Sequence, residues 1–206
     1  MSTVRQQNFL LRKEKILAMA ETLLLDNNQD ITLAELAAEL DIAKGTIYKH
    51  FKSKNQLYLE LIILNEKRLL EISKNHNHDI KTYVSQYMLY NMLNSNRTIL
   101  LHVIEERLTN NERKLKDLFE ELYQVREARI LEIRDLFADH LKSLNSIMSI
   151  RDYLSYIWTV TYGASLLLNS THYQKSIGSR ERLIKLYVNQ ALMTPDKLTD
   201  TDHQTA

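Results

Sequence analysis

Residues that break helices are nearly absent from this chain. Among 206 residues there are three Gly and one Pro, and the proline, Pro195, stands near the end. Gly and Pro are the residues that most strongly weaken or end a helix, so little in the preceding sequence would stop one. Strong helix formers such as Leu, Ala, Glu and Lys are abundant throughout. We therefore expect an all-α protein.

The sequence lacks the residues that several kinds of catalytic and metal-binding site require. There is no cysteine, which excludes disulfides, thiolate metal sites and cysteine nucleophiles. None of the seven His follows a Glu by three positions, so the Glu-x-x-His pattern of helical di-iron sites is missing. His76 and His78 could hold a metal weakly, although a solvated loop is the simpler interpretation. We expect neither an enzyme nor a bound cofactor or metal.

Residues 32–51 are typical of two short helices joined by a tight turn. Thr32 and Glu35 have the spacing of a capping box at the start of the first helix. Apolar residues then recur at helical spacing, at Leu33, Leu36, Ala37 and Leu40. Asp41 can adopt the left-handed backbone that a sharp turn requires. The second helix is predicted from Lys44 to His50, with Ile47 facing inward.

The charge distribution supports a polyanion-binding surface here. The whole chain is nearly neutral, with 27 Lys plus Arg against 26 Asp plus Glu. Residues 42–59 nevertheless contain four Lys and one His without any Asp or Glu. A local cationic patch on a neutral protein indicates binding to a polyanion. The alternative is a solvated helix pair in an ordinary helical domain, but the capping box and turn favour a DNA reader.

From about Ile16 to Leu61 the sequence resembles the tetracycline-repressor (TetR) family of bacterial regulators. The matching motif is Lys44-Gly-Thr-Ile-Tyr48, followed by Phe51 and Lys54 and preceded by the Thr32 cap and the Leu36-Ala37 pair. Two positions depart from the family pattern. Asp41 stands where Gly is common, and Ala43 stands where Ser or Thr usually caps the recognition helix. The loss of that cap costs about 1 kcal/mol of local helix stability.

The resemblance implies which residues contact DNA. Those at or beside the major groove are Lys44, Gly45, Thr46, Tyr48, Lys49 and His50. Gly45 would let the backbone approach the duplex closely. Thr32, Tyr48 and Lys54 are expected at phosphates, which set register rather than read sequence. Packing is an alternative role for Tyr48, and His50 could contact nothing.

The chain divides into an N-terminal DNA-binding domain and a larger helical domain. We predict a three-helix helix-turn-helix domain over 1–54, an effector-binding and dimerisation domain over 55–195, and a disordered tail over 196–206. About nine helices are expected in total. They include a first helix at about 9–25, a long one at about 112–140, and two final helices at about 150–169 and 180–193.

The last two predicted helices carry apolar residues on more than one face, which favours a dimer. One face could pack on the domain core while another meets a partner. The family resemblance implies a four-helix bundle formed with the same helices of a second copy; a monomer with both helices central remains the alternative. A twofold dimer would bind an inverted-repeat operator.

An effector pocket is also implied by the resemblance. A charge-free, aromatic stretch between Lys81 and Arg97, together with later aromatic residues, would line it. The candidates are Tyr87, Met88, Tyr90, Trp158 and Tyr162, with His102, Glu105 and Glu106 as polar groups that orient the ligand. Each of them could equally be an ordinary core residue. We expect a hydrophobic or aromatic effector.

Residues 153–174 lack charge over 22 positions, but their Ser, Thr and Asn content argues against a membrane span. The N-terminal residues show no signal-peptide core, so we expect a cytoplasmic protein. The sequence thus predicts a DNA-binding transcriptional regulator, and a repressor because operator occupancy alone can exclude polymerase. The alternative is a helical DNA-binding adaptor without a ligand, or a protein-interaction module.

Overall fold

The computed structural model describes residues 3–27, 30–109, 113–176 and 179–195, and its regular elements are helices. They are α1 (Val4–Asn27), α2 (Leu33–Glu39), α3 (Lys44–His50), α4 (Lys54–His76), α5 (Ile80–Leu93), α6 (Ser95–Thr109), α7 (Lys116–Ser143), α8 (Ile150–Asn169), α9 (Thr171–Ser176) and α10 (Arg180–Met193). A short 3₁₀ turn at Arg113–Leu115 precedes α7. The all-α prediction is confirmed. Over the described residues there are ten α-helices rather than about nine, and α9 is the one that the sequence prediction lacked.

The final helices α8 and α10 begin and end where the sequence predicts. A capping box between Ser149 and Asp152 starts α8, and the side chain of Ser179 caps α10. The long helix α7 extends further than expected, to Ser143, while its predicted start at residue 112 lies outside the described residues. The first helix also begins earlier than predicted, at Val4.

The turn between α2 and α3 is a Schellman motif. The Ile42 amide donates to the Ala37 carbonyl at 3.0 Å, and the Asp41 amide donates to the Ala38 carbonyl at 3.1 Å. Asp41 has a φ of +50°, the left-handed conformation predicted for it. The predicted capping box at the start of α2 is also present, since Thr32 and Glu35 each accept a hydrogen bond from the other's amide.

The chain forms two compact units, Met1–Asn65 with Leu100–Leu122 and Glu66–Ile99 with Tyr123–Ala206. The first unit packs α1, α2, α3 and the start of α4 around a core that includes Ile16, Leu36 and Ile47. The second unit has its own core, which includes Val84, Phe137 and Tyr153. The functional division at residue 54 stays a prediction, and the predicted tail at 196–206 lies outside the described residues.

Over the described part of the chain, none of the helices combines the length and the apolar character that crossing a bilayer would demand.

The left-handed turn gives a stability prediction. Left-handed backbone costs an L-residue about 1–2 kcal/mol, and Asp bears it better than Ala does. We therefore expect urea denaturation to rank Asp41→Gly as at least as stable as the natural protein, and Asp41→Ala about 1 kcal/mol below Asp41→Gly. Equal midpoints for the two variants would contradict the assigned turn.

Candidate nucleic-acid interface

The inner face of α3 is anchored by two fully buried side chains. Ile47 and Phe51 are both at 0% exposure and belong to the first unit's core. The ammonium of Lys13 on α1 lies 5.5 Å from the centre of the Phe51 ring, within cation–π range. Because these residues fix the rotation of α3 about its own axis, the opposite face is presented outward.

That outward face carries most of the predicted DNA-reading residues. Lys44, Gly45 and Lys49 are exposed, Thr46 is half-buried, and Tyr48 keeps 48% of its surface accessible. Since residues four apart share a helix face, Gly45 and Lys49 present their open sides together. No acidic residue occurs on α3. The face therefore offers ammonium, hydroxyl and bare backbone groups, which can donate to base edges and phosphates.

The start of α3 lacks a side-chain cap, as its sequence predicts. Ala43 occupies the N-cap position and makes no side-chain hydrogen bond to the helix. The first turn is held by the backbone, with the Thr46 amide donating to the Ala43 carbonyl at 2.7 Å. The N-terminus of α3 is consequently left without the hydroxyl that the family pattern usually places there.

His50 is held against α1 rather than standing clear of the protein. Its ring centre lies 4.1 Å from that of Phe9, and its buried Nδ1 atom has no hydrogen-bond partner. Burial lowers the pKa of His50, and the positive charges of Arg12, Lys13 and Lys49 lower it further. The neutral ring thus joins α1 to the end of α3, and a DNA contact from it stays a prediction.

Lys54 is tied into a polar cluster at the start of α4. Its ammonium donates to Asp30 at 2.7 Å and to the Ile31 carbonyl at 3.2 Å. The Tyr58 hydroxyl donates to the same Asp30 and accepts from the Ile31 amide at 3.1 Å. Arg107 lies 3.8 Å from the Asp30 carboxylate. The predicted phosphate contact therefore comes from a lysine that also fastens the loop before α2.

The electrostatics of this cluster keep Asp30 ionised. Burial raises the pKa of Asp30, but hydrogen bonds from Lys54 and Tyr58 and the charges of Lys54 and Arg107 outweigh it, so the net shift is downward. Burial and the neighbouring carboxylate raise the pKa of Tyr58, which stays a neutral phenol. No local pattern would identify the cluster, because Asp30 and Tyr58 are 28 positions apart.

Thr32 is exposed at the start of α2, and its hydroxyl oxygen accepts from the Glu35 amide at 3.1 Å. The hydroxyl can still donate its proton to a phosphate oxygen. Its predicted phosphate contact is therefore compatible with its capping role.

The predicted effector residues fall into four environments. Tyr87 and Met88 are buried in the core of the second unit. Tyr90 is half-buried, with the Arg97 guanidinium 4.4 Å from its ring centre. Trp158 is 51% exposed, and its ring centre lies 5.0 Å from that of half-buried Tyr162. The remaining candidates, His102, Glu105 and Glu106, lie on the stretch of α6 that belongs to the first unit.

Comparison with known proteins supports the helix-turn-helix interpretation. Residues 16–61 match the family model described as "Bacterial regulatory proteins, tetR family". The HTH-type transcriptional regulator QacR of Staphylococcus aureus is 34% identical over 82 residues, which cover 39% of this chain and 44% of that protein. The nucleoid occlusion factors SlmA of Shewanella sediminis and Shewanella woodyi are each 42% identical over 60 residues, covering 29% of this chain and 30% of theirs. Each match spans less than half of the relative's length.

Gly45 provides a test that separates folding from DNA contact. A Cβ atom added there meets no protein atom within 4 Å, so the protein itself has room for one. We expect Gly45→Ala to raise the free energy of unfolding by up to about 1 kcal/mol, because Ala favours helix over Gly. We expect it to weaken operator binding by about tenfold if duplex backbone or bases occupy that space. Unchanged affinity in fluorescence anisotropy would show that DNA stays away from Gly45.

Proposed function

We propose that this chain, whose residues 16–61 match the tetR family of bacterial regulatory proteins, is a repressor that binds an inverted-repeat operator as a homodimer. A small effector releases it from DNA. Occupancy of the operator would block transcription by excluding polymerase from the same site.

The observation that carries the proposal is the outward face of α3. Lys44, Thr46, Tyr48 and Lys49 extend from a helix that Ile47 and Phe51 hold in place by complete burial. A rigid, cationic helix of about 10 Å diameter with its side chains fits the major groove, which is about 12 Å wide. A pure protein-interaction module would not need this acid-free set of donors.

The dimer is supported by apolar side chains left open on α8 and α10. Trp158, Tyr162 and Leu166 follow each other at four-residue spacing on α8, and Leu166 is 60% exposed. On α10, Leu186 is 56% exposed and Met193 lies seven positions further along. A Cβ atom at Gly163 would meet no protein atom within 4 Å, so a partner helix can approach the backbone there. Such apolar surface is typical of an interface with a second copy.

Trp158 supports the dimer more directly than it supports a ligand pocket, since half of its surface is open. Tyr87 and Met88, in contrast, are enclosed within the second unit and could contact a bound molecule after a local rearrangement. We therefore place the effector at the Tyr87 side of this unit and the dimer contact at Trp158.

The proposed DNA contacts can be tested by anisotropy on a labelled fragment from upstream of the protein's own gene, measured at several salt concentrations. Lys49→Ala should weaken all DNA binding and reduce the salt slope by about one for each lysine copy that contacts a phosphate. Thr46→Ala should instead change the preference at one base pair, by about 1–3 kcal/mol. Lys49 is the cleaner probe of charge, since removing Lys54 also removes its ion pair with Asp30.

Lys142→Ala is the control for this series, because it removes one exposed lysine from the second unit. It should leave the salt slope unchanged. If Lys49→Ala and Thr46→Ala both bind as the natural protein does, with the same salt slope, α3 does not read DNA.

The proposed dimer has a matched pair of substitutions. Leu166→Glu places a charge on the exposed face of α8, where it would be buried without a partner on dimerisation. We expect a shift to monomers in analytical ultracentrifugation and a parallel loss of operator affinity. Leu131→Glu is the control, because Leu131 on α7 is 61% exposed but lies outside α8 and α10. Two variants that dimerise equally well would place the interface elsewhere.

A further inference from the structure

A charged cluster lies inside the second unit, where α4, α5 and α7 each contribute residues. Glu66 on α4 is only 7% exposed although it carries a carboxylate. Its Oε1 atom accepts from Nε of Arg126 at 3.1 Å, and its Oε2 atom lies 3.4 Å from Nε of Arg129. Burying a charge is costly unless it is paired and hydrogen-bonded, so this arrangement needs an explanation.

The pairing between Glu66 and Arg129 is incomplete. Both Oε2 of Glu66 and Nε of Arg129 are buried, and neither has a hydrogen-bond partner despite their proximity. Buried polar atoms are almost always satisfied in folded proteins. Glu66 Oε2 and Arg129 Nε therefore form an ion pair at 3.4 Å without a hydrogen bond between them.

Aromatic residues surround Arg129. The Arg129 guanidinium lies 5.6 Å from the centre of the Tyr87 ring and donates a hydrogen bond to the Tyr83 hydroxyl. The rings of Tyr83 and Tyr87 stack with their centres 6.1 Å apart. Burial raises the pKa of Tyr87, so its hydroxyl stays neutral. Tyr83 and Tyr87 are 2% and 5% exposed, so a ligand reaches these rings only after a local rearrangement of the second unit.

The balance of donors and acceptors indicates the charge of a ligand. Glu66 already accepts from Arg126 at one carboxylate oxygen, so it keeps a partner if Arg129 turns to an anionic ligand. A cationic ligand would instead lie close to both arginines, where like charges repel. A planar carboxylate matches the fork of a guanidinium especially well, because both partners can form two parallel hydrogen bonds.

We propose that the second unit binds a small aryl or arylalkyl carboxylate through Arg129, with the aromatic part against Tyr83 and Tyr87. Glu66 is the internal counter-ion that the ligand carboxylate displaces from Arg129. The regulatory meaning of this site rests on the proposed function above. Glu66 lies on α4, the helix that begins at Lys54, so displacing it acts on a helix that contributes to both units.

The proposal is tested first on the natural, full-length protein by thermal denaturation with three probes of one shape. They are 3-phenylpropionate, the neutral 3-phenylpropionamide and the cationic 3-phenylpropylamine. We expect the carboxylate to raise the melting temperature in a concentration-dependent way, since a ligand that binds only the folded state stabilises it. The amide and amine should give little or no shift. An unchanged melting temperature with the carboxylate, or an equal shift with the amine, overturns the proposal.

Two substitutions of the ion pair should then act in opposite directions on carboxylate affinity measured by calorimetry. Arg129→Gln removes the partner of the ligand and should weaken binding by roughly tenfold or more. Glu66→Gln removes the competitor while keeping a similar shape, and should strengthen binding. If the ion pair only maintained the fold, both variants would bind the carboxylate more weakly. That result would contradict the proposal. Glu71→Gln, an exposed residue on the same helix, is the control and should change nothing.

Failure of this site and failure of the proposed function give different results. The protein could bind the carboxylate in the expected pattern and yet not bind its upstream DNA. That result would support the ligand site and contradict the repressor function. Alternatively, the protein could bind the operator while the carboxylate changes neither this binding nor the melting temperature. That result would support DNA binding and contradict the ligand class.

Discussion

Asp41 holds a left-handed conformation between α2 and α3, and the arrangement of the helix-turn-helix depends on it. The Schellman hydrogen bonds at this residue end α2 and redirect the chain within two residues. The rotation of α3 then follows from the complete burial of Ile47 and Phe51. Once those two side chains are inside, the lysines of α3 can only face outward. A DNA-reading surface thus results from a backbone turn and two apolar anchors.

The Asp30 cluster and the Glu66 cluster differ in their exposure to water. Asp30, Lys54 and Arg107 are each about a third to a half exposed, and ion pairs at such positions add at most about 1 kcal/mol. Their main effect is geometric, since they hold the loop before α2 against the start of α4. Glu66 and Arg129 lie in a region with little water, where an imperfect pair is expensive to keep. The second cluster, unlike the first, therefore favours a ligand that completes its pairing.

Local signals in the sequence predicted the helix ends well. The Thr32–Glu35 capping box and the left-handed Asp41 involve residues within a few positions of each other, and both are present in the structure. The bounds of α8 and α10 were also predicted correctly, and the side chains of Ser149 and Ser179 cap their first turns. Helix α9 was missed since its six residues, with Tyr173 the one large aromatic among them, show too little periodicity to indicate a helix. The early start of α1 was missed because Val4 to Asn8 has no apolar repeat.

The amino-acid sequence by itself determined the helical class, the turn chemistry and the cationic character of α3, because each depends on residues within about one helical turn of one another. Only the tertiary structure decided which polar groups meet. Asp30 contacts Tyr58, Phe9 contacts His50, and Glu66 contacts Arg126 at a separation of 60 positions. Such pairs produce no periodic pattern in the sequence, since they depend on how whole helices pack. The packing also decided that Tyr87 is buried while Trp158 is exposed. Sequence spacing cannot distinguish the two, because both are aromatic residues within helices.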